Sequence, residues 1–150
     1  NISGVDQART FYSNTGITSG KHYWEIKIDQ TSAPSNIMIG ISTVRDSRPL
    51  AVKDRFLTHH KTGWALYCYN GHVYHKSATK SFYRSVGTGA TVGVIFDADN
   101  HLLAFTVNST FIGCAYKNVT ATEPIFVACT LYSAGDKVTL VADAAIPIIE

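Results

Sequence analysis

The sequence predicts an all-β fold, an antiparallel sandwich or barrel, built as a single domain of 150 residues. About nine short apolar or alternating runs succeed one another, separated by turn-forming residues at roughly every 8–12 positions. No stretch of helical length keeps apolar residues at i, i+3 and i+4 without a glycine or a β-branched interruption. A chain of this length can bury one hydrophobic core that is large enough for stability.

The first run, HYWEIKID at 22–29, alternates between apolar and polar residues as a half-buried strand does. Because successive side chains of a strand point to opposite faces, Trp24, Ile26 and Ile28 should share the face that packs on the core. The second run, NIMIGIST at 36–43, is apolar nearly throughout and carries a glycine inside it. These runs predict the first two strands.

A hairpin is predicted between the runs GWALYCYN (63–70) and HVYHK (72–76), because Asn-Gly accepts the positive φ angles of a type I′ turn. The later strands are predicted at ATVGVIFD (90–97), HLLAFTV (101–107), TFIGCAY (110–116), PIFVACTL (124–131) and DKVTLVA (136–142). The side chains expected between the sheets include Trp24, Trp64, Phe96, Phe105 and Val127.

Composition narrows the classes of function. The net charge of +2 is too small to indicate nucleic acid, and no apolar run approaches the ~20 residues of a membrane helix. The first residues lack the pattern of a signal peptide. The three cysteines, Cys68, Cys114 and Cys129, lie in apolar runs and form no CxxC pair. We therefore expect three buried, reduced thiols and a cytoplasmic location.

Catalytic and metal-binding patterns are weak. His72 and His75 are three residues apart, which places them on opposite faces of a strand, where they cannot share a metal ion. Asp97 and Asp99 flank a predicted turn, where aspartate bonds nearby backbone amides, and DADN lacks the later glutamate of a calcium loop. We therefore expect no enzymatic activity, no metal and no cofactor.

Four runs, in order along the chain, together resemble one known family. SGKHYWEIKID resembles the G-x-H/Y-Y-W-E-V strand of SPRY domains, and GWAL followed by HVYHKS resembles their hairpin. VGVIFDADNHLLAFTVNSTFIGCAYKNV and PIFVACTLYSAGDKVTLV resemble the two closing blocks of the family. His101 replaces the usual turn glycine, and Asn108-Ser109 stands where the family usually has Asn-Gly. The residues before 20 do not clearly match the additional PRY segment.

The resemblance implies a bent antiparallel β-sandwich of two sheets, with 1–15 as a lead segment and 16–142 as the core. It also implies a non-catalytic module that binds a protein or a short peptide, such as the substrate-reading domain of a ubiquitin-ligase subunit. In the family, variable loops at one end of the sandwich usually form the binding surface. We expect the isolated domain to be monomeric.

Three segments are candidates for that surface. They are the lead segment with Arg9 and Tyr12, the long cationic connection 44–63 with Arg55, Phe56 and His60, and the turn LYSAG (131–135) with Leu131, Tyr132 and Ser133. Tyr132 is the strongest of these candidates, because its turn needs no large aromatic side chain for folding. We predict that the three segments are neighbours around one shallow pocket for acidic or amide side chains, with Tyr83 and Arg84 at the opposite end.

The alternative is a sugar-binding lectin on a similar sandwich. Sequons at Asn1, Asn108 and Asn118 and the Trp- and Tyr-rich hairpin at 64–74 motivate it. Nucleic-acid binding through the connection 44–63 is not expected, since Phe56 is the only aromatic residue there and stacking platforms are missing.

Overall fold

The structure is a computed structural model that describes residues 2–3, 9–13, 16–31, 35–43, 63–75, 78–119, 124–132 and 135–141. These residues contain no helix that is long and apolar enough to cross a membrane. Their strands are β1 (Ile2–Ser3), β2 (Arg9–Tyr12), β3 (Lys21–Gln30), β4 (Met38–Ser42), β5 (Gly63–Tyr67), β6 (Val73–His75), β7 (Ala78–Lys80), β8 (Thr91–Asp97), β9 (Leu102–Val107), β10 (Thr110–Tyr116), β11 (Phe126–Leu131) and β12 (Lys137–Val141).

The strands form two six-stranded sheets in which every neighbouring pair is antiparallel. Sheet A has the order β1-β12-β3-β8-β9-β10, and sheet B has the order β2-β11-β4-β5-β6-β7. Both sheets are open, and one hydrophobic core lies between them. The predicted antiparallel β-sandwich is therefore confirmed.

The predicted core residues are buried. Trp24, Trp64, Phe96, Phe105 and Val127 all lie in the cluster between the sheets, and none is more than 4% exposed. The alternation in β3 explains how the first of them reaches the core, because every second side chain of that strand points toward sheet B.

Tyr23 occupies the outer face of sheet A and is nevertheless buried. Its hydroxyl donates to the Glu25 carboxylate at 3.0 Å and lies 2.9 Å from the Thr106 hydroxyl. The ring reaches Thr106 by crossing the neighbouring strand at Gly93, where a Cβ would lie 2.5 Å from the ring. Burial is the main cause that raises the pKa of Tyr23. Glycine at position 93 is therefore a packing requirement.

The turn between β5 and β6 differs from the prediction. Of Asn70 and Gly71, only Gly71 has a positive φ, of 74°, whereas a type I′ turn requires positive φ at both central residues. The type I′ prediction is wrong, because the hydrogen bonds between β5 and β6 end before Cys68, whose backbone groups bond other segments. The Cys68 amide donates to the Ile37 carbonyl, and the Cys68 carbonyl accepts from the Val86 amide, each at 2.9 Å.

Two other turns hold non-glycine residues at positive φ. His101 follows β8 with a φ of 60°, and Asn108 and Ser109 join β9 to β10 with φ values of 50° and 66°. The Asn108 side-chain oxygen accepts a hydrogen bond of 3.0 Å from the Thr91 amide. These positions still require left-handed backbone, which costs most L-residues roughly 1–2 kcal/mol. The chain therefore keeps the turn geometry without the usual glycines.

The three cysteines are free thiols in different surroundings. Cys68 and Cys129 are buried, and burial raises the pKa of Cys68 to about 12 and that of Cys129 well above its ordinary value. Cys114 is only partly buried, so the prediction that all three thiols are buried is wrong. It lies on β10, the last strand of sheet A, which among the described strands pairs with β9 alone.

The antiparallel order assigns every connection to one of two ends. Odd-numbered strands finish at the end that carries Tyr132, which we call the Tyr132 end, and even-numbered strands finish at the far end. The two sheets agree in this sense, because the amide of Tyr132, which follows β11 of sheet B, donates to Asp136, which precedes β12 of sheet A. This assignment decides which predicted site segments can meet.

Candidate recognition surface

The turn after β11 is held by a buried carboxylate. Asp136 is 1% exposed, and it accepts hydrogen bonds from the Thr31 hydroxyl at 2.8 Å and from the Tyr132 amide at 3.3 Å. The Thr31 hydroxyl also lies 2.9 Å from that of Ser35. Tyr132 itself is 38% exposed. Asp136 therefore fixes the backbone of Tyr132, and the ring of Tyr132 is exposed to solvent.

A second aromatic feature lies beside it, which we call the tyrosine ridge and define as Tyr67, Tyr69 and Tyr74. The rings of Tyr67 and Tyr69 stack with centroids 5.6 Å apart, and Tyr74 meets Tyr67 edge-on at 5.9 Å. The Tyr67 hydroxyl donates to the Asn36 side chain at 2.9 Å. Burial raises the pKa of Tyr67, so this phenol stays protonated and keeps donating at neutral pH. Tyr69 is 47% exposed and forms the outermost part of the ridge.

The register of sheet B places the ridge and the Tyr132 turn at the same end. Thr130 lies opposite Met38, which lies opposite Tyr67. Tyr132 follows Thr130 by two residues, and Tyr69 follows Tyr67 by two residues. Both tyrosines therefore emerge side by side at the Tyr132 end. Neighbouring strands are about 4.8 Å apart, which puts the two segments roughly 10 Å from each other.

Tyr12 belongs to the same face of sheet B. It lies opposite Ala128 and packs, half-buried, against a small cluster of Met38, Ala65 and Ala128. The predicted neighbourhood of the lead segment and the Tyr132 turn therefore has a structural basis, because β2 pairs directly with β11. The backbone of Arg9 lies opposite Leu131 in this pairing.

Leu131 requires a correction. Its side chain is fully buried in the main core cluster, because it alternates with Thr130 and points between the sheets. It cannot contact a partner directly and can only support the turn that follows it. Ser133 lies outside the described residues, as do Arg55, Phe56 and His60.

The structure attaches the long cationic connection at the far end. It leaves from β4 and returns at Gly63, and Ser42 at the end of β4 pairs with both Gly63 and Phe126. Since β11 runs from Phe126 to Leu131 at about 3.3 Å per residue, the anchors of the connection lie roughly 20 Å from the Tyr132 turn. The three predicted segments therefore do not all attach around one pocket.

Tyr83 and Arg84 also change place. The Tyr83 amide donates to the Gly71 carbonyl at 2.8 Å, within the turn that carries the tyrosine ridge. The Arg84 guanidinium lies 4.7 Å from the centre of the Tyr83 ring. These residues lie at the Tyr132 end, and the prediction that they mark the opposite end is wrong.

The ridge residues Tyr67 and Tyr69 and their neighbour Asn36 were not among the predicted site residues. The available signal was the density of tyrosines in the hairpin at 64–74, which sequence reasoning connected with sugar binding. Among the described residues, no three His, Cys, Asp or Glu side chains come together as a metal site requires.

An antiparallel sandwich gathers its loops at its two ends, and loops on a rigid scaffold are where recognition residues concentrate. Residues 21–144 match the family model described as SPRY domain. The chain therefore belongs to the SPRY domain family, and the resemblance noted in the sequence is confirmed.

Relatives and solved structures agree with this assignment. The chain is 31% identical over 104 residues to SPRY domain-containing SOCS box protein 3 of Xenopus tropicalis. This alignment covers 68% of this chain and 29% of that protein. It is 27% identical over 106 residues to the E3 ubiquitin-protein ligase TRIM9 of Drosophila melanogaster. This alignment covers 67% of this chain and 13% of that protein. The chain thus spans less than a third of the length of these relatives.

The fold is similar to the SPRY domain of human HERC1, with a TM-score of 0.78 and 20% sequence identity. The match covers 93% of this chain and 85% of that one. A second human SPRY domain matches with a TM-score of 0.73 and 18% identity. Membership of this family and its occurrence in ligase proteins indicate a protein-interaction module.

Proposed function

We propose that this domain is a non-catalytic recognition module that binds a short segment of a partner protein at the Tyr132 end. The observation that carries the proposal is the presence at one end of two exposed tyrosines, Tyr132 on a turn fixed by buried Asp136 and Tyr69 on the tyrosine ridge. Two tyrosines held by rigid neighbours provide large contact area at a low cost in side-chain entropy.

The polar groups around the tyrosines favour a peptide that carries amide or acidic side chains. The Tyr67 hydroxyl and the Asn36 amide are already joined by a hydrogen bond, which fixes their orientation at the surface. Arg84 lies at the same end and supplies a positive charge. A peptide would lie across the ridge, with its backbone and amides bonded to these groups and its apolar atoms against the rings.

The larger context is also a proposal. Relatives of this domain include a SOCS box protein and an E3 ubiquitin-protein ligase, in which a recognition domain is joined to other parts of a long chain. We propose that this domain is the substrate- or partner-reading part of such a protein, that it acts in the cytoplasm, and that it is monomeric in isolation. Binding requires no cofactor in this mechanism.

The test is a screen of the isolated domain against a peptide library, followed by calorimetry with the selected peptide. Tyr132→Ala and Tyr69→Ala should each weaken binding by about 1–2 kcal/mol, because such rings contribute much of the binding free energy of a small interface. Leu140→Ala is the matched control, since Leu140 is a large apolar residue of the same exposure as Tyr132, 38%, and lies toward the far end on strand β12 of the other sheet.

Equal binding by wild type, Tyr132→Ala and Tyr69→Ala would reject this surface. The same variants applied to a glycan array test the lectin alternative, which rests on the same exposed tyrosines, since aromatic rings also stack on sugars. Glycan hits that disappear in Tyr69→Ala, together with no peptide hits, would replace the peptide proposal with the lectin function.

A further inference from the structure

A second candidate site lies at the edge of the sandwich where β7 of sheet B faces β10 of sheet A. It is a cleft of about 390 Å³, lined by Trp64, His75, Lys80, Cys114, Ala115, Tyr116, Lys117 and Asn118. The cleft lies toward the far end, since β6 and β10 both finish there at His75 and Tyr116. It is therefore separate from the tyrosine ridge and from the Tyr132 turn.

The imidazole of His75 is fixed in the wall of this cleft. It stacks on Trp64 with ring centroids 4.4 Å apart and only 4° between the planes. Its Nδ1 lies 2.8 Å from the Gly63 carbonyl oxygen, which can only accept, so Nδ1 carries a proton. The other ring nitrogen, Nε2, is therefore the one that is left to meet a ligand.

Lys80 also lines the cleft, from the strand that pairs with the strand of His75. It pairs with core residue Val73, so its side chain starts from an inward-facing position of edge strand β7. The ammonium donates to the Ala115 carbonyl at 2.6 Å and lies 4.6 Å from the centre of the Tyr116 ring. An ammonium has three hydrogens, and this carbonyl uses one, so further donors remain for a ligand. An inward-pointing lysine on an edge strand can also serve to prevent pairing with a strand of another molecule. That role does not explain why a second ammonium lies beside it.

That second positive charge belongs to Lys117, which is exposed at the mouth of the cleft beside Asn118. Among the residues that the structure describes, no carboxylate lines the cleft. Burial raises the pKa of Tyr116 to about 12, so its phenol is neutral at physiological pH and adds no negative charge. The cleft is thus positively charged, with oriented hydrogen-bond donors.

We propose that this cleft binds the phosphate group of a phosphate monoester. Such a group carries a charge of about −1.5 to −2 at pH 7 and has three strong acceptor oxygens. Lys80, Lys117 and the Asn118 amide provide donors for three oxygens, whereas a carboxylate offers only two oxygens and one charge. The phosphate can arrive on a small metabolite or on a phosphorylated side chain, since the chemistry of recognition is the same.

The test is an NMR titration of the ¹⁵N-labelled domain with O-phosphoserine at low salt. Shifts are expected at the amides of 75, 80 and 114–118 and not at 132 or 135–136, and glutamate should bind at least about tenfold more weakly, because it lacks one charge and one oxygen. Tyr132→Ala should leave the affinity for O-phosphoserine unchanged. Failure of this site and failure of the recognition surface are therefore distinguishable.

Charge variants provide the matched comparison. Lys117→Met should weaken O-phosphoserine binding by about tenfold, because it removes a charge-assisted bond at an exposed position. Lys27→Met removes the same charge from an exposed position of β3 and should have no effect. Lys80→Met should weaken binding as Lys117→Met does, and its melting temperature reports any loss from the bond to Ala115.

Source and refutation follow from two further comparisons. A flexible phosphoserine peptide that binds more tightly than free O-phosphoserine points to a modified partner, and equal affinities point to a small metabolite. The proposal is overturned if no amide of the cleft shifts, if Lys117→Met and Lys27→Met behave alike, or if glutamate binds as well as O-phosphoserine does.

Discussion

Replacement of Asp136 by alanine is the sharpest test of how the Tyr132 turn is built. The carboxylate is 1% exposed and accepts bonds from the Thr31 hydroxyl at 2.8 Å and from the Tyr132 amide at 3.3 Å. A hydrogen bond to a charged group contributes about 1.5–3 kcal/mol, and the longer bond belongs at or below the low end of this range. We expect Asp136→Ala to lower the free energy of unfolding by about 3 kcal/mol.

The measurement is urea denaturation combined with thermal melting, where a loss of this size corresponds to a shift of roughly 6–12 °C. Thr31→Val removes the shorter bond to Asp136 together with the contact to the Ser35 hydroxyl, keeps the bond from the Tyr132 amide, and should cost less than Asp136→Ala. Because Asp136 fixes the backbone of Tyr132, Asp136→Ala should also weaken binding of the selected peptide at a temperature where the variant is fully folded. Stability within about 0.5 kcal/mol of the wild type would refute the account of the turn. Lost stability with unchanged affinity would refute the positioning role.

The remaining predictions concern a turn, the thiols and the core. Ser109→Gly should raise the melting temperature or leave it unchanged. Glycine adopts the left-handed backbone at a gain of about 1 kcal/mol, and its greater freedom in the unfolded chain offsets part of that gain. A lower melting temperature would contradict the turn geometry. Iodoacetamide at pH 8 should modify Cys114 alone in the native protein, because burial raises the pKa of Cys68 and Cys129. Intact mass should show one adduct on the native protein and three after denaturation. Labelling of all three cysteines in the native protein would contradict this prediction. Trp24→Ala should cost roughly 3–5 kcal/mol, measured by urea denaturation, and a parental midpoint would show that β3 is misplaced.

The parts of the fold that could be predicted from sequence are those governed by local periodicity. In β3, the alternation of apolar and polar residues identifies both the strand and its buried face. The alternation also puts Tyr23 on the outer face, yet Tyr23 is buried, because its ring crosses Gly93 and its hydroxyl reaches Thr106. Those partners lie about 70 to 83 positions away in sequence, and no local pattern reveals them.

The candidate site shows the same division between local and global information. Tyr132 could be selected because an exposed aromatic residue in a turn needs a reason other than folding, and the structure shows its ring at the surface. Leu131 belongs to the same predicted segment, since LYSAG joins the two closing strands. Adjacent residues of a strand point to opposite faces, so only one of them can belong to a surface.

The resemblance to the family predicts the long cationic connection beside the Tyr132 turn, and the number of strands explains why its anchors lie at the other end. In an antiparallel sandwich, each strand reverses the direction of the chain, so the number of strands between two loops decides whether they share an end. The nine predicted strands put six strands between the connection and Tyr132, which is an even number and implies the same end. Strand β7 (Ala78–Lys80) makes the number odd and separates them. It has three exposed residues and lies at the edge of sheet B, so it carries no apolar alternation that a sequence pattern could detect. One undetected edge strand is therefore enough to change the end of a correctly predicted fold at which a predicted connection is anchored.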